Sequence, residues 1–424
     1  MAGGALPGFR DFYPDEFARR VHLFRAWREV CRRYAFVEYD GPPLEPLELY
    51  TKKSGDEIVR QLYAFTDKGG REVALRPEMT PTFARMVAAK AQALRKPIRW
   101  FSIPQLFRYE RQQKGRLREH FQLNVDIVGE SSETADAEVL AVALDIMREL
   151  GLTPADVRAR VSDRRLLNAL LDAVGVRDTQ REAVYAVLDK SARQPLSASR
   201  DKLAEAGLTP ASITRVMALP DVRDAGELRR EFGKAKTVAP HLDHLDRYLG
   251  HLESLDVRGW VDLDLAVVRG LAYYTGIVFE LFDAQGELRA ICGGGRYDNL
   301  LKELGGVDLP ACGFGMGDVV LGKLVEARGK FPTVANRLDF YVVESGAEPM
   351  PRARMVSARL RRLGYSVECA LREQPVAKQL KAASSAGAAR AVLLLPEGHA
   401  VLKDLASGRE QPFAIEAVPP RHPD

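Results

Sequence analysis

Cysteine is scarce in this chain, and none of its four residues, Cys31, Cys292, Cys312 and Cys369, forms a C-x-x-C pair. That spacing argues against a structural zinc site and a disulfide framework, and leaves reduced, mostly buried thiols as the expectation. Also missing is any run of about eighteen apolar residues, so no membrane-spanning segment is expected. The first ten residues lack a basic start followed by an apolar block, which argues against a signal peptide and for the cytoplasm. No internal repeat or low-complexity tract is present. A net charge of +4 permits an acidic partner such as nucleic acid but does not argue for one.

What is present describes a soluble globular protein. Apolar residues make up 46%, enough for a sizeable core, and 424 residues are too many for one ordinary core, so two or three domains are expected. Residues 1–160 mix helices and strands. A helix is expected from Pro14 to Tyr34, with Phe17, Val21, Phe24, Trp27 and Val30 at near-helical spacing. Strand-like stretches follow at Ile98–Glu110 and Phe121–Val128. Residues 161–258 read as helical, and strands return at Leu263–Val268 and Tyr273–Phe282, so a helical block is inserted within a mixed domain that ends near residue 330. After a linker around Pro332, residues 338–424 alternate strand and helix: Phe340–Val343, Arg352–Leu363, Ser366–Ala370, Val376–Ala386, Ala391–Leu395. This order predicts a mostly parallel sheet covered by helices.

Five local features carry chemistry. In the second strand of a hairpin over 105–129, Phe121, Leu123, Val125 and Ile127 alternate with Gln122, Asn124 and Asp126, so one face is apolar and the other polar. In the first, Phe107 and Tyr109 alternate with Arg108 and Glu110. The loop between them, Arg111 to Arg118, is rich in guanidinium groups that suit a polyphosphate. An ordinary half-solvated antiparallel sheet gives the same alternation. The other features are Leu75-Arg76-Pro77-Glu78-Met79-Thr80, with Thr80 a possible N-cap; Val268 to Gly276, in which Arg269 sits in an apolar stretch and needs a partner; Cys292-Gly293-Gly294-Gly295-Arg296-Tyr297-Asp298, which reads equally as a flexible turn; and Gly313-Phe314-Gly315-Met316-Gly317, whose spacing is not that of a dinucleotide-binding fingerprint.

In order and combination these features resemble the histidyl-tRNA synthetase family of class II aminoacyl-tRNA synthetases, in a subgroup that includes plant organellar enzymes. Gly41 to Glu45 resembles motif 1, the 107–129 hairpin motif 2, Arg269 to Tyr274 the histidine signature peptide and Gly313 to Gly317 the start of motif 3. Lys378-Gln379-Leu380-Lys381 lies in what resembles the anticodon-binding domain. The resemblance implies an α+β fold: an antiparallel sheet flanked by helices, a helical insertion and a C-terminal α/β anticodon-binding domain. It implies activation of L-histidine with ATP and Mg2+, transfer to tRNA(His), and a homodimer with no membrane association. Glu78, Met79, Thr80, Arg108, Gln122, Asp126, Arg269, Tyr273 and Tyr274 would bind histidine. Arg108, Glu110, Arg116, His120 and Phe121 would bind ATP, Arg108 and Arg269 would act in catalysis, and Gln113 would meet the tRNA acceptor end. No metal ligand is implied.

The chain departs from the family pattern at three places. Ala272 stands where the signature usually has Asp, His120 stands at the adenine-stacking position, and Val320 replaces the motif 3 arginine. Such losses also mark a histidine-binding regulatory subunit of ATP phosphoribosyltransferase, the alternative reading. Retention of Arg108, Arg269, the basic loop and a full tail favours the synthetase.

Overall fold

The computed structural model describes residues 4–51, 59–110, 117–190, 194–268, 274–332, 338–344 and 351–421. The chain divides into two compact units at Phe331/Pro332. The first is α+β and is built on a nine-stranded, mostly antiparallel sheet. Eight of its strands run in the order Val37–Glu38, Ile98–Ser102, Glu119–Val128, Ala311–Gly317, Cys292–Arg296, Ile277–Asp283, Val157–Asp163, Val261–Leu263, and Gln105–Phe107 pairs with the start of Glu119–Val128. Only the two outermost pairs are parallel.

Helices Pro14–Arg33, Glu133–Glu149 and Asp318–Ala327 cover one face of this sheet. Their apolar sides join Leu123, Val125, Ile127, Cys312 and Met316 in one continuous core. Glu133–Glu149 is Ala- and Leu-rich and buries eleven of its residues, as a central helix does. The apolar stripe expected on Pro14–Arg33 is buried only in its second half. Trp27 and Val30 are fully buried, whereas Phe17 and Val21 are each 45% exposed. Phe17 and Val21 lie on a different side of the helix from buried Leu23, Trp27 and Val30, while Arg20 in the same turns stacks on Phe121 of the sheet.

Between Arg164 and Ser254 the described chain is helical. Leu166, Leu167, Leu170 and Leu171 are fully buried there. Two strand expectations are corrected. The stretch at 263–268 is a strand only to Leu263, because Asp264 turns the chain by accepting the Ala266 N–H (3.0 Å). Ile98–Glu110 is two strands broken at Ile103–Pro104; Tyr109 lies beyond them, 55% exposed, and is no core residue.

The second unit holds a five-stranded sheet ordered Val367–Cys369, Leu338–Glu344, Ala388–Leu394, Ala400–Asp404, Glu410–Pro412. The first three strands are parallel, with helices Pro351–Arg362 and Val376–Ser385 as crossovers. The last two form an antiparallel edge that the strand–helix alternation did not reveal.

Candidate functional site

The strand Glu119–Val128 sends Gln122, Asn124 and Asp126 to the face opposite the core. Antiparallel pairing places Gly313 opposite Asp126, Gly315 opposite Asn124 and Gly317 opposite Gln122. One strand further, Gly295 and Gly293 face Gly313 and Gly315. Directly paired residues share a face, so the polar side chains of one strand look across a floor made of glycine. Above it lies a cavity of about 200 Å3, enclosed also by Glu78, Thr80, Arg108 and Tyr274. The glycines create that space. A Cβ on Gly315 would lie 2.8 Å from Gln122 Nε2, and one on Gly313 would lie 2.9 Å from the Tyr297 hydroxyl and collide with Asp126 Oδ1.

Glu78 and Thr80 reach the cavity from a turn that Arg76 braces. Its buried guanidinium donates to the Gln105 carbonyl (3.0 Å), the Gly41 carbonyl (2.7 Å) and Asp40 (2.7 Å). Thr80 is not an N-cap as expected: it is the first residue of the helix Thr80–Lys90, and Met79 holds the cap position. Met79 is 1% exposed and lies among Arg76, Gly41 and the core rather than on the cavity wall, so its side chain does not join the histidine-binding set.

Asp126 is 8% exposed and accepts a hydrogen bond from the Tyr297 hydroxyl. Burial pushes its carboxyl up to about 7, and the Tyr297 bond pulls the other way. Tyr297 stands in the glycine-rich stretch Cys292–Asp298, where the sequence alone assigns it no role. Its contact crosses 171 residues, and only sheet pairing could have found it. Tyr297→Phe should raise the Asp126 pKa further, by roughly one unit for a lost hydrogen bond. Any ligand that needs the carboxylate as acceptor is lost as pH falls through that pKa. The variant should therefore lose it at higher pH than the wild type. Calorimetric titrations with histidine from pH 6 to 9 check this, since ligand protonation cancels between the two proteins. Coincident pH profiles would separate Asp126 from binding.

Arg108 stands at the cavity mouth, its Nε donating to the Pro77 carbonyl (2.9 Å). His120 precedes Gln122 on the same face, and burial, with the Arg108 charge, pushes its imidazole down to about 4, so it is neutral. Phe121 is a correction. Its ring points to the opposite face, 5.3 Å from Phe24 and 6.4 Å from Phe12, with the Arg20 guanidinium 4.7 Å above it. The strand alternation that brings Gln122 into the cavity takes Phe121 out of it. Its backbone N–H donates to buried Asp318 (2.9 Å), which also accepts from Arg10 (2.9 Å). Val320, one turn into the same helix, packs partly buried against the core. Glu110 is half-buried, with its N–H donating to the Arg108 carbonyl (2.8 Å). Arg118 stacks 4.1 Å from Tyr109. Arg269, Tyr273, Gln113 and Arg116 lie outside the described residues.

The sequence model of the histidyl-tRNA synthetase family matches residues 8–317. A histidine–tRNA ligase of Opitutus terrae is 45% identical over 98% of this chain and 96% of its own length. A chloroplastic/mitochondrial histidine–tRNA ligase of Arabidopsis thaliana is 38% identical over 95% of this chain and 83% of its own. The crystal structure of histidyl-tRNA synthetase from Nostoc superimposes with a TM-score of 0.84 at 23% identity, covering 98% of both chains.

Proposed function

The chain belongs to the histidyl-tRNA synthetase family, and on that premise we propose how its cavity carries out the ligation of histidine to tRNA. The activity is that of a histidine–tRNA ligase, with ATP as the activating substrate. The observation that carries the site assignment is a buried carboxylate with a phenol beside it, Asp126 and Tyr297, at the bottom of a cavity of about 200 Å3. An imidazole presents two ring nitrogens, and a carboxylate with a second phenol, Tyr274, can engage both. Glu78, Thr80 and Gln122 then meet the ammonium end. The substrate carboxylate attacks the α-phosphorus of ATP, a P–O bond forms, and pyrophosphate leaves. Negative charge grows on the phosphoryl oxygens, where Arg108 and Arg269 are assigned. The ring of His120, neutral at physiological pH, is assigned to adenine. A terminal ribose hydroxyl of tRNA next attacks the adenylate carbonyl and releases AMP, with Gln113 assigned to the acceptor end.

Among the described residues no cluster of three or more His, Cys, Asp or Glu is arranged to hold a metal. Mg2+ would arrive on the triphosphate and neutralise its outer oxygens. The homodimer belongs to the same proposal. Phe17 and Val21, exposed four residues apart on the helix Pro14–Arg33, with exposed Tyr13 at its N-cap, offer an apolar stripe for it. A cytoplasmic location is part of the same proposal. Among the described residues no helix is long and apolar enough to cross a membrane.

Histidine-dependent ATP–pyrophosphate exchange followed by charging of tRNA tests the reading. Binding of histidine with no exchange at any ATP concentration would return it to the regulatory-subunit alternative. The second unit, residues 332–424, is assigned to the anticodon. Truncation after Phe331 should spare exchange and lower tRNA charging at least about a hundredfold, because a separate compact unit can be lost without disrupting the other core. Full-rate charging by the truncated protein would remove that assignment.

A further inference from the structure

Tyr274 and Tyr297 both line the cavity, yet they come from different segments, and neither sits in the middle of a strand. Something must hold the distance between them. We propose that Thr275 is a positioning residue for histidine recognition: its hydroxyl, closed onto Asp298, fixes the spacing of the two tyrosines. The proposal rests on the reading that Asp126, held by Tyr297, and Tyr274 receive the imidazole.

Thr275 directly follows Tyr274, and Asp298 directly follows Tyr297. The Thr275 hydroxyl donates to Asp298 Oδ2 (3.2 Å) and accepts from the Asp298 backbone N–H (3.1 Å). The two bonds close a small ring between the residues next to the tyrosines. The other Asp298 oxygen, Oδ1, accepts from Arg296 Nη1 (3.0 Å). Arg296 is 1% exposed and is anchored by its Nε to Asp136 (2.9 Å) and by its terminal nitrogens to the carbonyls of Glu130 (3.0 Å) and Ser132 (3.2 Å). Asp136 lies on the most deeply buried helix of the unit, Glu133–Glu149. Both tyrosines therefore hang from one charge-assisted network rooted in the core, and the Thr275 hydroxyl is a side-chain link by which the Tyr274 segment joins it. Charge-assisted bonds are the stronger and more directional kind, suited to holding a spacing.

Packing closes the arrangement. A Cβ on Gly295 would lie 3.0 Å from the Tyr274 ring, and one on Gly276 would lie 3.2 Å from Arg296. Tyr274 is thus pressed against the same strand from which Tyr297 departs. The sequence gives Thr275 no distinction, since a threonine after two tyrosines reads as strand propensity. Its role emerges only when the two segments are brought together.

The backbone bond from Thr275 N–H to the Arg296 carbonyl (2.8 Å) survives a change of side chain. Thr275→Val keeps volume and branching and removes only the hydroxyl ring, so it isolates positioning from folding. In exchange assays Thr275→Val should raise the KM for histidine at least about tenfold, the equivalent of one buried hydrogen bond, and leave the KM for ATP unchanged. Thr275→Ser should restore the wild-type value. Asp298→Asn, which drops the charge that Arg296 holds, should also raise the histidine KM. The double variant should be no worse than the more damaged single, since both act through one ring. An unchanged histidine KM in Thr275→Val, a parallel rise for ATP, or a serine that fails to restore it would overturn the proposal. Asp126→Ala distinguishes the two levels. If it too leaves the histidine KM unchanged, the pocket reading itself has failed. If it raises that KM while Thr275→Val does not, only the positioning role has.

Discussion

Replacing Arg108 with alanine should lower histidine-dependent ATP–pyrophosphate exchange at least about a hundredfold, the loss typical of removing one preorganised charge donor from a transition state. The side chain is placed before any substrate arrives. Its Nε is bonded to the Pro77 carbonyl, its backbone N–H donates to the Arg118 carbonyl (2.9 Å), and the guanidinium stands at the cavity wall. Because phosphoryl charge grows only as the carboxylate attacks, the loss should fall on kcat, with little change in histidine KM. Lysine should recover only a small part of the rate, since a point charge cannot reproduce a planar fork held at one end by a carbonyl. Exchange at saturating histidine and ATP measures this. A near-normal rate in Arg108→Ala would move the transition-state role onto Arg269, which the family resemblance pairs with it. With Val320 in place of the motif 3 arginine, fewer cations share the work, which sharpens the expected penalty.

Much of this site was legible because it is written in local periodicity. The alternation from Phe121 to Val128 sorts Gln122, Asn124 and Asp126 onto one face without any tertiary information. The same rule takes Phe121 to the opposite face, against the ATP role that the resemblance implies, and its ring packs against Phe24. Other features were illegible for physical reasons. Tyr297 acts on Asp126 across three paired strands, and no spacing within one segment encodes that. Arg76 reads as a surface charge in a turn, but the fold buries it and gives it carbonyl partners. Phe17 and Val21 were grouped by spacing with Trp27 and Val30, yet at about 100° per residue they fall on another side of the helix from buried Leu23, Trp27 and Val30, and loose spacing does not fix which side is buried. The antiparallel edge Ala400–Asp404 and Glu410–Pro412 is half-buried at best, so it lacks the apolar run by which the parallel strands announced themselves.

Gly313→Ala should all but abolish histidine recognition, raising the histidine KM at least about a hundredfold. In the sequence Gly313, Gly315 and Gly317 form a weak pattern with no evident purpose. In the sheet they are the three residues of one strand that face Asp126, Asn124 and Gln122. Their backbone is extended and needs no glycine for its φ and ψ; Gly317, for example, has φ −83 and ψ 141. At Gly313 and Gly315 space is therefore the reason for glycine, and a methyl group tests it directly. At Gly313 the new carbon would overlap Asp126 Oδ1 and crowd the Tyr297 hydroxyl at 2.9 Å. Asp126 is assigned to the imidazole and the Tyr297 hydroxyl holds its carboxylate in place, so even a small displacement breaks the acceptor geometry. Part of the cost is structural, about 1–3 kcal/mol for overpacking a closed site, and a thermal melt measures that part separately. Gly317→Ala is the internal control. It lies on the same face of the same strand, but nothing stands within 4 Å of its Cβ position, so its histidine KM should match the wild type. Equal histidine KM values for the two variants would mean that the glycine floor does not bound the histidine pocket, and the site would have to be placed elsewhere on the sheet.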